Sequence, residues 1–270
     1  MASVRSRAVL LGAMLLPVVS ACSGQVADPG PSSANTSNLA ENDVVTVPQR
    51  SALTFSEAVV IEPNDAYADR CSGVLIAPRV VLTAAHCVAF VASKSWRVTA
   101  PFATGGPETH GAHEGETMDA AFRNVSPSDY AQRELRDVGV LYVDAAFENV
   151  RLPIVTSASF ATDKASPPIF VSAVGRSVAG ADRLAVSVPT MLDAAPSSRA
   201  SIEYETASVT VPGESGGALF LEGTHRVIAV HAHADAATKA DAWSRLDGDV
   251  YTWITEKVTA HGGWVPAASR

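Results

Sequence analysis

The chain has 270 residues and a mass of 28.0 kDa, with 47% hydrophobic and 18% charged residues. This composition supplies enough apolar material for a buried core and excludes a disordered chain. The formal net charge of −8 gives no reason to expect nucleic-acid binding, and no apolar run reaches the ~18–20 residues that a membrane-spanning helix requires.

The first 21 residues have the pattern of a secretory signal peptide. Arg5 and Arg7 form a basic start, and the apolar stretch 8–19 is too short to cross a bilayer but suits the core of such a peptide. The Val-Ser-Ala-Cys sequence at 19–22 resembles the lipobox of bacterial lipoproteins, in which the cysteine is lipidated. This predicts a lipid anchor on Cys22; the alternative is an ordinary secretory peptide that leaves Cys22 free. In either case the chain is exported, and disulfides are permitted.

Residues 22–48 are rich in Ser, Gly, Asp, Asn and Pro and have few large apolar side chains. Such a segment cannot bury enough surface to fold, so we expect a flexible linker that holds the folded domain away from a membrane. The folded domain is expected over 49–262, with a short tail at 263–270.

Beyond residue 53, short runs rich in Val and Ile are separated by Pro, Gly, Asp and Asn. Runs of this length and spacing are typical of strands in an all-β sandwich or barrel. Apolar residues at helical spacing over 249–260, followed by two glycines, predict one terminal helix. The length fits two barrels, placed at 49–145 and 146–245. The clearest predicted strands are 58–61, 80–82, 138–141, 169–171 and 227–230.

A histidine beside a cysteine ends the segment 71–87. The segment begins Cys-Ser-Gly-Val-Leu-Ile and ends Leu-Thr-Ala-Ala-His-Cys, and a bond between Cys71 and Cys87 would close a hairpin and fix the backbone next to His86. Closing a loop of this size stabilises a fold by about 3 kcal/mol. The segment resembles the histidine region of the chymotrypsin/trypsin-like serine proteases.

Two later segments resemble the same family. The Gly-Glu-Ser-Gly-Gly sequence at 213–217 is similar to the family's Gly-Asp-Ser-Gly-Gly nucleophile loop, in which small residues permit a tight turn that exposes the hydroxyl. An aspartate at the head of an apolar strand, Asp137, is similar to the family's third catalytic position; Asp129 and Asp144 are the alternatives. The closing sequence Trp-Ser-Arg-Leu at 243–246 is a further match.

The resemblance implies a fold of two packed six-stranded antiparallel β-barrels with a short C-terminal helix. It implies a serine endopeptidase with His86, Asp137 and Ser215 as the catalytic triad, and with the N–H groups of Gly213 and Ser215 as the oxyanion hole. No cofactor and no metal are expected, and the partner is a polypeptide substrate. We expect a monomer that is lipid-anchored on the periplasmic or cell-surface side, or secreted. The alternatives are a catalytically silent, protease-like binding or adhesion module and an esterase that uses the same triad.

The sequence departs from the family at several points. Glu214 stands where the family has an Asp that pairs with a newly freed N-terminus, and no Ile-Val-Gly-Gly sequence occurs to supply that terminus. The His-rich stretch 110–116 could be a metal site, but its spacing fits no zinc motif, and its glycines favour an exposed loop.

Specificity is inferred from positions around Ser215. Trypsin-like members that bind basic side chains have an Asp six residues before the serine, where this chain has Val209. Thr210 and His231 resemble the pair that holds the substrate carboxylate in glutamyl endopeptidases, which predicts cleavage after acidic residues. The alternative is a hydrogen-bonded core histidine beside a small apolar pocket. His233 stands where the family usually has Trp and is the third predicted substrate-binding residue.

Overall fold

A computed structural model of the protein describes residues 49–65, 68–126, 129, 135–160, 167–176, 184–195, 198–211, 213–235 and 238–261. The predicted signal peptide, the proposed lipid anchor on Cys22, the linker that ends at residue 48 and the tail 263–270 lie outside these residues.

The elements are as follows. The first half contains β1 (Gln49–Ser51), β2 (Ala58–Pro63), β3 (Cys71–Ala77), β4 (Val80–Thr83), helix α1 (Ala85–Ala89), β5 (Trp96–Ala100), β6 (Glu108–Thr117), a 3₁₀ helix (Ala120–Asn124) and β7 (Gly139–Val143). The second half contains β8 (Ile154–Val155), β9 (Phe170–Arg176), β10 (Leu184–Ser187), β11 (Thr190–Met191), β12 (Asp193–Ala194), β13 (Glu203–Ala207), β14 (Ala218–Leu221), β15 (Arg226–Asp235), β16 (Ala240–Arg245) and helix α2 (Asp249–Ala260). The five strands predicted above coincide with β2, β4, β7, β9 and β15. The first three agree within two residues at each end, whereas β9 and β15 each continue five residues beyond the predicted end.

Strands β2 to β7 close into a six-stranded antiparallel barrel, in the order β2-β3-β4-β7-β6-β5. Its interior is filled by branched and aromatic side chains such as Leu75, Trp96 and Leu141, which are almost completely buried. The prediction of a six-stranded first barrel is confirmed.

The second sheet is larger and more open than the predicted six-stranded barrel. Among the described residues it has ten strands, ordered β1-β10-β9-β14-β15-β16-β13-β12, with β11 pairing to β9 and β8 pairing to β15. The β8–β15 pair is parallel, so the sheet is not wholly antiparallel. Three of its strands are only two residues long, and its terminal strands β1 and β12 do not pair with each other. The sheet therefore forms a half-barrel over its own core around Tyr204 and Trp243.

The first described strand belongs to the second sheet. The sequence-based division placed residue 49 onward in the first barrel, but Gln49–Ser51 pairs antiparallel with β10. A three-residue strand has too little sequence to indicate which of two sheets it joins, and the pairing spans more than 130 residues of chain.

The His-rich segment 110–116 is part of strand β6 rather than an exposed loop. It pairs with β5 on one side and with β7 on the other. Gly115 serves packing rather than a turn, because a Cβ at this position would lie 2.7 Å from Leu141 and 2.9 Å from Val88. His110 contacts Glu108 at 2.9 Å.

A third apolar cluster joins the two sheets and the terminal helix. It contains Val74 and Leu82 from the barrel, Phe220 and Val230 from the second sheet, and Ile254 from α2. Helix α2 covers the range predicted from its apolar spacing. Within the described ranges, no helix is long and apolar enough to cross a membrane.

Candidate active site

The loop that carries Ser215 lies against the first barrel. The Ser72 N–H on β3 donates to the Ser215 carbonyl oxygen at 2.8 Å. Gly216 has φ of +77°, and a Cβ there would lie 2.1 Å from Thr83 Oγ1 and 2.6 Å from the Ser72 carbonyl oxygen. Only glycine fits this position, which explains why the loop can approach the barrel so closely.

His86 and Asp137 form a direct contact. Strand β4 leads into helix α1, whose second residue is His86. The His86 backbone N–H donates to Asp137 Oδ1 at 2.9 Å, and the ring Nδ1 lies 2.7 Å from Oδ2. A carboxylate at Nδ1 holds the proton there, which makes Nε2 the ring nitrogen that can accept one.

Asp137 is buried, and its backbone is bonded to strand β16 of the second sheet. Its N–H donates to the Ser244 hydroxyl at 3.1 Å. Ser244 lies in the Trp-Ser-Arg-Leu segment that matched the family, but this contact was not predicted because it joins residues 107 positions apart. The alternative Asp144 lies away from His86 and contacts His113 at 3.5 Å.

The predicted disulfide between Cys71 and Cys87 is formed. It joins the start of β3 to α1, one residue after His86. The Cys87 sulfur lies 3.8 Å from the Ser215 carbonyl oxygen. The disulfide therefore connects the segment that carries His86 with the strand that contacts the Ser215 loop.

Two N–H groups of the Ser215 loop are unused within the described residues. The other three are bonded: Glu214 N–H to the Val211 carbonyl at 3.1 Å, Gly216 N–H to that of His231 at 2.9 Å, and Gly217 N–H to that of Glu214 at 2.8 Å. No described group accepts a hydrogen bond from the N–H of Gly213 or Ser215, and none forms a hydrogen bond with the Ser215 hydroxyl. The unused donors belong to the two residues predicted for the oxyanion hole.

A family model described as Trypsin matches residues 46–254. The chain belongs to the trypsin family. The match covers both sheets and the first half of α2.

Solved structures of the trypsin fold resemble the protein at low sequence identity. A protein described as HL collagenase is 18% identical, with 80% of this chain and 99% of that chain covered and a TM-score of 0.61. A Glu endopeptidase is 17% identical, with 78% and 93% covered and a TM-score of 0.57. A human heparin binding protein is 17% identical, with 83% and 99% covered and a TM-score of 0.59. No curated protein sequence matches the chain. These similarities show the fold. Activity and specificity have to be argued from the geometry of the site.

Thr210 and His231 contact each other beside the Ser215 loop. The Thr210 hydroxyl lies 3.2 Å from His231 Nε2, and the His231 N–H donates to the Gly217 carbonyl at 2.9 Å. Burial, helped by the neighbouring His86, lowers the pKa of His231 to about 3, so its ring is neutral. Its Nδ1 is buried without a partner in the described part of the chain.

Behind this pair lies Asp241, which was not predicted. Its Oδ2 accepts the N–H groups of Val209 at 2.7 Å and Thr210 at 2.9 Å, and its Oδ1 lies 3.9 Å from His231 Nε2. The side chain is buried, which raises the pKa of its carboxyl. Asp241 lies within an unremarkable Ala-Asp-Ala stretch, so only the folded pairing of β16 with β15 brings it to the pocket.

His233 contacts a different partner. Its Nε2 lies 3.2 Å from Arg199 Nη1, and Arg199 Nε lies 3.3 Å from the buried Glu203. Burial and the Arg199 charge lower the pKa of His233. Burial raises the pKa of Glu203 to about 7 despite Arg199. His233 therefore belongs to a group with Arg199 and Glu203, next to the Thr210–His231 pair rather than in it.

Glu214 turns back onto its own loop. Its Oε2 accepts the Val211 N–H at 2.9 Å, while its N–H donates to the Val211 carbonyl. This places the carboxylate that replaces the family's Asp in a local role, bracing the segment just before Ser215.

Proposed function

We propose that the protein is an exported, membrane-tethered serine endopeptidase that uses His86, Asp137 and Ser215. The trypsin family supports a hydrolase acting on polypeptides. The single observation that carries the residue assignment is the 2.7 Å contact between His86 Nδ1 and Asp137 Oδ2, made beside the loop that exposes Ser215.

The proposed reaction begins with the Ser215 hydroxyl oxygen attacking the substrate carbonyl carbon. His86 Nε2 takes the hydroxyl proton, and the Asp137 carboxylate stabilises the imidazolium that forms. The carbonyl oxygen becomes an oxyanion, which can accept hydrogen bonds from the N–H groups of Gly213 and Ser215, since neither has an acceptor in the described part of the chain.

His86 then gives its proton to the departing amine, which leaves an ester on Ser215 Oγ. A water molecule attacks this ester while His86 takes one of its protons. His86 then gives that proton to Ser215 Oγ as the bond to the acyl carbon breaks, which releases the acid product and restores the Ser215 hydroxyl. Because neutral Nε2 must accept the proton, the activity requires an unprotonated His86.

The test is peptide hydrolysis by purified variants. Ser215→Ala and His86→Ala should each lower kcat by about 10⁶-fold, and the double variant should be no worse, because the residues act as a unit. Asp137→Asn should lower kcat by about 10⁴-fold. Near-wild-type hydrolysis by folded Ser215→Ala would show that the assignment is wrong.

The rival function is a binding module without turnover. The heparin binding protein shares the fold, so the fold alone does not require an enzyme. This chain, however, carries a net charge of −8, which disfavours a polyanionic ligand, and it retains histidine, aspartate and serine at the three positions. The other alternative, an esterase that uses the same triad, is tested by comparing the hydrolysis of matched peptide and ester substrates.

The acidic specificity rests on Thr210 and His231. A substrate carboxylate that enters this pocket loses its water, and the Thr210 hydroxyl and the His231 ring are placed to replace those hydrogen bonds. The nearby Asp241 carboxylate would repel such a substrate unless Asp241 is protonated. Burial raises the pKa of Asp241, which favours the protonated form. We therefore expect Glu or Asp before the cleaved bond to be favoured only while Asp241 is neutral.

A peptide library varied at the residue before the cut tests this specificity. Preference for Glu or Asp that is lost in His231→Ala supports it. Preference for Leu, Phe, Ala or Lys that His231→Ala leaves unchanged contradicts it.

Export and anchoring complete the proposal. A disulfide is typical of proteins outside the reducing cytoplasm. Cys22 is proposed as the lipidated residue that holds the enzyme at the periplasmic or cell-surface side of a membrane.

A further inference from the structure

Ser72 uses all of its polar groups, although it is completely buried. Its N–H donates to the Ser215 carbonyl at 2.8 Å, and its hydroxyl donates to the Gly213 carbonyl at 3.1 Å. The same hydroxyl accepts the Arg176 N–H at 2.8 Å. The Ser72 carbonyl accepts the Thr83 hydroxyl at 2.8 Å.

The two carbonyls that Ser72 binds belong to the two residues of the proposed oxyanion hole. Gly213 and Ser215 thus have their C=O groups bonded to Ser72, while their N–H groups have no acceptor among the described residues. Binding the carbonyls to the barrel keeps these acceptors from turning towards the site where the donors are needed.

The hydroxyl matters most at Gly213. This residue has φ of +96°, and a glycine rotates between backbone conformations more easily than any other residue. The Ser72 backbone N–H reaches only Ser215, so the side chain is the group that holds the Gly213 carbonyl. The Arg176 N–H orients that hydroxyl and leaves its proton directed at Gly213.

We propose that Ser72 is a positioning residue for the oxyanion hole: its hydroxyl holds the Gly213–Glu214 peptide, which lies between the two donors, so that the N–H groups of Gly213 and Ser215 face the substrate oxygen. The inference rests on the proposed endopeptidase function. It adds a residue from the first barrel that acts on the transition state through the loop of the second sheet.

Ser72→Ala removes the hydroxyl, and Ser187→Ala is the matched control. Ser187 is also buried, and its hydroxyl likewise accepts one N–H, from Ala173 at 3.0 Å, and donates to one carbonyl, of Val188 at 2.9 Å. Both changes remove the same kind of bridge, but the Ser72 hydroxyl bonds the Gly213 carbonyl of the Ser215 loop, whereas the Ser187 hydroxyl bonds Ala173 and Val188.

The expected result is a split between kcat and KM. Removing an oxyanion donor outright costs about 10²–10³-fold in kcat, so Ser72→Ala, which only releases the donor, should lose about 10–10²-fold, with KM within about twofold. Affinity for a peptide boronic acid, whose adduct places an oxygen in the hole, should fall in parallel. Ser187→Ala should change neither quantity per folded molecule, even if it lowers stability.

Equal kcat and boronic acid affinity in Ser72→Ala and Ser187→Ala, with an active wild type, would overturn the role of Ser72 alone. An inactive wild type would overturn the endopeptidase function and this role with it. If Ser72→Ala does not fold, Ser72→Thr decides: it retains the hydroxyl, so its kcat should stay within about threefold of wild type, and a folded Ser72→Thr protein that loses tenfold or more contradicts the inference.

Discussion

The charge on Asp241 should control the preference of the Thr210–His231 pocket for acidic residues before the cleaved bond. Its Oδ1 lies 3.9 Å from His231 Nε2, where a negative charge opposes a substrate carboxylate. Asp241→Asn should therefore raise the ratio of kcat/KM for Glu over Leu before the cut by about tenfold at neutral pH. Paired peptides that differ only at this residue measure the ratio.

The same ratio should change with pH. Because burial raises the pKa of Asp241, lowering the pH protonates it and removes the repulsion, so the wild-type ratio should rise while that of Asp241→Asn stays flat. If Asp241→Asn instead abolishes a preference for Lys or Arg, the carboxylate binds cationic side chains and the acidic specificity is wrong.

Glu203 should make folding stability fall as the pH rises. Its folded pKa of about 7 lies above its ordinary value of 4.5, so its contribution is fully present below about pH 4.5 and is lost as pH rises through 7. Glu203→Gln should thus match wild type near pH 5 and exceed it by up to ~3 kcal/mol at pH 9. Urea unfolding at both pH values measures the difference.

Glu256→Gln, on the exposed side of α2, is the control for removing a carboxylate that is not buried. A Glu203→Gln protein that is less stable than wild type at pH 9 would mean that the ion pair with Arg199 outweighs the cost of burying the charge.

What could be predicted for single residues follows from sequence distance. Local sequence motifs were enough to identify His86, Asp137 and Ser215 as candidates. The resemblance to the family also predicted that His86 and Asp137 would be partners. Ser72 and Asp241 act through backbone groups 141 and 32 residues away, respectively. Nothing in the sequence around either residue indicates those partners.

The hairpin closed by Cys71 and Cys87 should be the element whose loss most affects the site. A sequence separation of 16 residues corresponds to a stabilisation of about 3 kcal/mol. The double variant Cys71→Ser/Cys87→Ser should have a free energy of unfolding lower by this amount, measured by urea unfolding. The free energy of unfolding of Cys22→Ser should be unchanged. Two free thiols at Cys71 and Cys87 in the unreduced folded protein would contradict the bond.

At the level of elements, short apolar runs bounded by turn residues predicted strands, and apolar residues at helical spacing predicted the terminal helix, because burial selects apolar residues locally. Strand β1 and the strand β6 were misjudged for a different reason. Three residues of β1 do not specify a partner. The glycines of β6 look like turn residues, and only the fold shows that Gly115 packs against Leu141 and Val88.

For the whole molecule, the anchor is a separate claim from the fold. In a bacterial host, wild type should sediment with membranes and carry the mass of acyl chains, whereas Cys22→Ser should be released, because several buried chains are needed for stable anchoring. Wild-type protein in the soluble fraction with an unmodified Cys22 would indicate ordinary secretion.

The central claim is that this folded chain is an enzyme with Ser215 as its nucleophile. A fluorophosphonate probe reacts with a serine that is activated by a histidine base and leaves a covalent phosphonyl group on its oxygen. Mass mapping of the labelled wild type should place the adduct on Ser215, with none on Ser215→Ala and little on His86→Ala. A folded wild type that gains no adduct, or gains it on another residue, would contradict the account.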